Sequence, residues 1–284
     1  MALIDDIQNK IVSIYNSEGI NMLRGIDDSY ELKNGKQILV WNTNIISEIH
    51  KYERKMDINL NPFDFYFMKN LDNILFTSDE LAYYTANAFL YKDKINNPIK
   101  DSSSIYDKKR GKWLTYYPNF QNLASKRYSM FIAGAFEKLY NLWDRLGDLL
   151  WASYFQDSLK ERAVDFSRVI DLIDNTEYNE IDSFKWLLNF KNSDYKELND
   201  IRKNIVHYSS IDIEHKYKHM DSFENNEGKM QNILSDKNEV EKLMNERFGY
   251  YDFLKTQIEV SIEGFIKVHE LIEEITNIKL ANVA

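Results

Sequence analysis

Residues that break helices are scarce in this chain of 284: it has three prolines, Pro62, Pro98 and Pro118, and nine glycines. Long stretches can therefore run as uninterrupted helix, and an all-α fold is the expectation. The apolar positions agree with it. Ile132, Phe136, Leu139, Trp143, Leu146 and Leu150 step by four and three. Leu254, Ile258, Ser261, Phe265, Val268, Ile272 and Ile275 repeat that spacing, with Ser261 alone polar. A stripe of this period keeps one face of a helix against its partners over many turns.

The same patterning predicts helices over 5–23, about 37–57, and 78–92, the last opened by a Thr77…Glu80 capping box. Pro118 suits the first turn of the next helix, which runs to about Phe155. Ser158…Glu161 reads as the cap of a helix reaching about Asp174, and a short helix follows near Ile181–Phe190. Asn192 or Ser193 opens another, and a last one spans roughly Lys237 to Lys279. Four long helices joined mostly by short turns add up to a four-helix bundle with additional N-terminal helices.

Charge marks a boundary inside this plan. Between Lys92 and Arg127 nine Lys or Arg stand against three Asp, although the whole chain carries a formal net charge of −9. The centre of that stretch, NNPIKDSSSIYDKKRGKW, reads as loop, and long loops tend to carry function. The expected division is therefore 1–117, an N-terminal helical region ending in a basic loop, and 118–284, the helical bundle. Lys108, Lys109, Arg110 and Lys112 lie among Tyr106, Trp113, Tyr116 and Tyr117. Cations for phosphates and rings for bases make this stretch a candidate RNA contact, with a plain solvated loop as the alternative.

Composition removes several function classes. With no cysteine, disulfide scaffolds, zinc ribbons, thiol nucleophiles and iron–sulfur clusters are excluded, and a reducing cytoplasmic setting fits. The first residues, MALIDDIQNK, are acidic early and lack an apolar core, and the most apolar stretch, Tyr128 to Phe136, meets a charge at Glu137, so neither secretion nor membrane spanning is expected. Overall acidity argues against a dedicated binder of duplex DNA.

The densest chemistry lies in DIRKNIVHY, Asp200 to Tyr208. Leu198, Ile201, Ile205 and Tyr208 define the buried side of this helix. On an ideal helix with Leu198 at zero, that side centres at about 310°, Arg202 sits at about 40°, Val206 at about 80° and His207 at about 180°. His207 thus points away from its own core. A second subunit docking on this flank would bury Val206 and bring Arg202 and His207 into a shared groove. An arginine that forks onto phosphate and a histidine that moves a proton near neutral pH suffice for RNA cleavage without a metal, because RNA carries its own nucleophile, the 2′-hydroxyl. His207 would take or give the proton, and Arg202 would stabilise charge building on the phosphoryl oxygens, with Lys203 and Asn204 in support.

Arg202-Lys-Asn-Ile-Val-His207, near the start of a helix that follows a long helix pair and precedes a long final helix, resembles the motif of the HEPN superfamily. The family pattern is an arginine, four to six residues, then a histidine, and here the resemblance extends over roughly 118–280. It implies a metal-independent endoribonuclease of the toxin or phage-defence kind, needing no cofactor, with its active site formed across a homodimer. The family usually places Asn, Asp or His directly after the arginine, where this chain has Lys203, with Asn204 one place later. Some members act as binding or assembly modules, so a second reading is a non-catalytic helical protein that self-associates or holds a partner such as a nucleotidyltransferase antitoxin.

Three other constellations involve polar or ionisable groups. His215 and His219 share a helix face and could join Asp212, but no further ligand is evident and no metal is assigned. Glu137, Asn141, Asp144 and Asp148 form a polar stripe beside the apolar seam, read as a solvated face, with the option that one of them orients Arg202 or His207. His50 and His269 lie among charged neighbours on presumed helix surfaces and receive no role.

Overall fold

The computed structural model describes residues 2–20, 23, 30–31, 37–38, 63–117, 122–205 and 237–283. Those residues form an all-α structure with two small antiparallel hairpins. In chain order the elements are α1 (Ala2–Glu18), β1 (Tyr30–Glu31), β2 (Gln37–Ile38), α2 (Phe63–Lys92), β3 (Ser103–Asp107), β4 (Lys112–Tyr116), α3 (Leu123–Tyr154), a 3-10 turn (Glu161–Ala163), α4 (Phe166–Asp174), α5 (Asp182–Asn192), α6 (Asp194–Lys203) and α7 (Lys237–Val283).

Both apolar stripes are buried as their spacing requires: Ile132, Phe136, Leu139, Trp143, Leu146 and Leu150 on α3, and Leu254 through Ile275 on α7. Ser261 stays in its stripe by turning its hydroxyl back to the Ile258 carbonyl at 2.7 Å, so no donor is stranded. Helix ends follow local chemistry. The Ile20 N–H reaches the Tyr15 carbonyl at 3.0 Å across Gly19, whose φ of 65° is the left-handed turn that stops α1. The Asn122 side chain accepts the Ser125 N–H at 2.8 Å and opens α3.

Several boundaries differ from the sequence reading. The Thr77…Glu80 pattern lies inside α2, which begins at Phe63; the Thr77 hydroxyl bonds back to the Asn73 carbonyl at 2.7 Å, so it caps nothing. Ser158…Glu161 does not open a helix either. A three-residue 3-10 turn stands there, and α4 begins at Phe166 because Asp165 accepts the Arg168 N–H at 2.8 Å. Gln37 and Ile38, expected in a helix over 37–57, pair as a strand with Tyr30 and Glu31. Residues 39–57 and Pro118 lie outside the described residues.

The basic stretch is not a loop. Ser103–Asp107 pairs with Lys112–Tyr116 in antiparallel register, Tyr106 opposite Trp113. Alternating β-formers flank a turn in which Gly111 takes φ 63°, the Arg110 N–H meets the Asp107 carbonyl at 3.2 Å, and the Lys109 N–H meets the Asp107 carboxylate at 2.9 Å. The run of charge hid the alternation.

The chain forms two compact units, and α2, α3, α6 and α7 each contribute one part to each. The first takes residues 1–20, 81–137 and 200–256, segments from both sides of position 117. Its interior holds Phe136 against Tyr250 and Phe253, and Phe89 against Tyr251, whose hydroxyl donates to Glu18 at 3.1 Å. Arg247 is fully buried there; its Nη2 donates to both Ser125 oxygens and to the Ser129 hydroxyl, and its guanidinium lies 5.6 Å from the Tyr128 ring. The second unit takes 21–80, 138–199 and 257–284. At its centre Trp143 stacks on Phe190 at 3.9 Å and leans on Phe166 at 5.0 Å, while Tyr140 stacks on Tyr195.

Candidate functional site

The helix α6 is anchored by Tyr195 and Leu198, both buried; of the apolar edge foreseen for this segment Leu198 and Ile205 are buried and Ile201 is half-buried. Arg202, one turn after Leu198, stands at the margin of this buried side. Its Nε donates to Glu137 Oε2 at 3.2 Å, joining the motif to the middle of α3. With the arginine side chain 19% exposed and the glutamate 37%, the pair is half-sheltered. A contact of this kind does more for orientation than for stability, because it fixes the plane of the guanidinium fork.

Past Lys203 the winding changes: Asn204 and Ile205 form a π turn. Such turns are rare and concentrate at functional sites. Lys203 and Asn204 are both exposed. Val206, His207 and Tyr208 lie outside the described residues, as do Asp212, His215, His219 and His50.

The polar stripe on α3 is more engaged than a solvated face. Besides Glu137 on Arg202, Asp144 accepts the Phe166 N–H at 3.3 Å, and Asp148 pairs with Arg145 at 2.9 Å. Burial pushes the Asp148 carboxyl above its ordinary value, against the opposing pull of Arg145. Glu137 is the residue the sequence undervalued. It follows the buried seam residue Phe136 directly, the one signal that marked it as bordering the core.

His269 corrects a surface assignment. It is buried, edge-on to Phe265 at 4.6 Å, and neither ring nitrogen has a hydrogen-bond partner among the described residues. Burial lowers its pKa from 6.5 to about 4, so the ring is neutral at physiological pH. It behaves as a core side chain because its seven-residue offset from Ile262 and its neighbours Val268 and Ile272 put it beside the α7 seam.

Lys108, Lys109, Arg110 and Lys112 are all exposed on the β3–β4 turn and its flank. Arg110 is held by Asp107 at 3.7 Å. Among the described residues no three His, Cys, Asp or Glu gather closely enough to hold a metal ion, and no helix is long and apolar enough to cross a membrane.

Comparison with known families places this geometry. The sequence profile of the Cthe2314-like HEPN family matches residues 67–273, more than half of the chain. The chain belongs to the HEPN superfamily. No curated protein and no solved structure matches it. The HEPN match begins inside α2, nearer the N-terminus than the motif alone suggested, and takes in the β3–β4 hairpin, Glu137 and Arg202. HEPN domains are often ribonucleases and often dimerise.

Proposed function

We propose that this HEPN protein is a metal-independent endoribonuclease, working as a cytoplasmic homodimer in a toxin or phage-defence role. The observation that supports it most is the half-sheltered Arg202–Glu137 pair directly before a π turn within an Arg-x4-His motif. On a regular helix, residues five apart stand about 140° from each other, too far round to share a substrate. A π turn in general takes up one additional residue and so offsets about 100° of such a separation.

In the reaction, the imidazole of His207 removes the proton from a ribose 2′-hydroxyl as that oxygen bonds to the adjacent phosphorus. The bond to the 5′-oxygen breaks, and an imidazolium returns a proton to the departing alkoxide, leaving a 2′,3′-cyclic phosphate and a 5′-hydroxyl. Arg202, oriented by Glu137, meets the negative charge on the non-bridging oxygens. Docking two subunits over Val206 supplies two histidines to one cleft, one for each proton transfer.

The test is incubation of purified protein with structured RNA in EDTA, beside Arg202→Ala and His207→Ala. Cleavage that persists in chelator and disappears in both variants is the expected result; equal background in all three overturns the reading. Lys203 directly after Arg202 favours the second reading, a non-catalytic module for dimerisation or for holding an antitoxin or nucleotidyltransferase partner. Under that reading overexpression leaves growth unaffected for wild type and His207→Ala alike.

A further inference from the structure

The β3–β4 hairpin carries a surface that nothing in the Arg202 site uses. Register sets Tyr106 directly opposite Trp113, and side chains of directly paired residues stand on one face of a two-stranded ladder. Their ring centroids are 5.4 Å apart with planes at 59°, yet Tyr106 is 47% exposed and Trp113 70% exposed. A tryptophan left this far in water gives up a large burial gain, although most large apolar side chains among the described residues are sheltered. The neighbouring positions on the same face are Ser104 and Thr115, so the rings form an isolated aromatic step and not the centre of an apolar patch. That argues against a protein core or an acyl chain as what covers it.

Charge decides among the remaining occupants. Lys108, Lys109 and Lys112 are exposed at the turn and engage in no ion pair among the described residues, while Arg110 is tied to Asp107. This cluster sits in a chain of net charge −9, so it is a local departure with a local reason. A ligand that offers flat faces for stacking and a line of negative charge beside them is a single-stranded nucleic acid; a duplex hides its base faces. The platform is also held ready: the Gly111 conformation and the two Asp107-accepted bonds fix the turn, so little ordering cost remains at binding. The hairpin and Arg202 belong to the same compact unit.

We infer that the β3–β4 hairpin binds single-stranded RNA, with bases stacking on Trp113 and Tyr106 and phosphates meeting Lys108 and Lys109. The inference rests on the ribonuclease reading only for RNA as the polymer. The test separates the two by using a fluorescein-labelled 12-nucleotide uridine oligomer with every 2′-hydroxyl methylated. Without a nucleophile the oligomer cannot be cleaved, so affinity is read by anisotropy whether or not the protein is a nuclease. Full-length wild type is compared with Trp113→Ala, Trp113→Phe, Tyr106→Ala and the Lys108→Glu/Lys109→Glu double variant.

Loss of one stacking ring weakens binding about tenfold, and Trp113→Phe, which keeps a ring, recovers most of it. The double lysine variant weakens binding and flattens the dependence of log affinity on log salt by about one to two units. Because Trp113 is exposed, each variant keeps the wild-type circular dichroism and melting temperature. Affinity unchanged in Trp113→Ala overturns the inference and leaves the cleavage reading standing. So does equal or tighter binding of a 12-base-pair duplex that ignores Trp113, or Trp113-dependent sedimentation with phosphatidylserine vesicles in the absence of oligomer binding.

Discussion

Arg202 and Glu137 come from segments 65 residues apart and meet at 3.2 Å. If the carboxylate serves to aim the guanidinium, Glu137→Gln keeps a hydrogen-bond acceptor but loses charge, and the arginine drifts relative to the phosphate. Turnover should fall about tenfold with KM nearly unchanged, the pattern of an interaction felt in the transition state. A lowered KM with unchanged turnover would show that Glu137 competes with substrate charge instead. His269 gives a second residue-scale prediction. Its folded pKa, about 4, is below the unfolded 6.5, so the unfolded chain takes up the proton first. Stability is full above pH 6.5, falls as pH drops from there toward 4, and the eventual loss is about 3 kcal/mol. Replacing His269 with Leu should remove about 2 kcal/mol of the difference in unfolding free energy between pH 7 and pH 5, measured by urea titration at both.

Among the elements, α3 and α7 were legible because a four-three stripe sustained over many turns is the pattern of a long helix with one face in the core, and both stripes are buried throughout. Shorter features depend on competition. Thr77 and Ser158 carry the letters of caps, but a hydroxyl inside a helix bonds back to its own turn, and Asp165 claimed the start of α4. The β3–β4 hairpin was hidden because its turn is made of lysines and arginine, which read as loop, while its β-forming alternation spans five residues on each side. Close approach of elements is also invisible in sequence. A Cβ at Gly147 of α3 would lie 2.7 Å from the Phe166 Cα at the start of α4. Alanine gains about 1 kcal/mol in helix propensity there, but overlap with backbone, which cannot rotate aside, costs about 1–3 kcal/mol. Gly147→Ala should therefore lower the urea midpoint despite being the better helix former.

At the scale of the molecule, the proposed cleft needs two chains. Val206→Asp places a charge where the partner's surface would bury an aliphatic side chain. Under the proposed homodimer, light scattering should report a dimer for wild type and a monomer for the variant, and RNA cleavage should fall to background with the melting temperature little changed; a variant that stays dimeric and active would displace the interface from this flank. The sequence by itself determined that the chain is helical, which faces of its long helices are buried, and which short segment holds an arginine and a histidine at HEPN spacing, because periodicity and motif are properties of neighbours along the chain. Tertiary structure alone decided that Glu137 meets Arg202, that His269 is buried, and that Tyr106 and Trp113 share one exposed face. The first two depend on where distant segments come to rest, and the third on the register of one hairpin; packing and strand pairing set all three, and the spacing of residue types along the chain does not encode them.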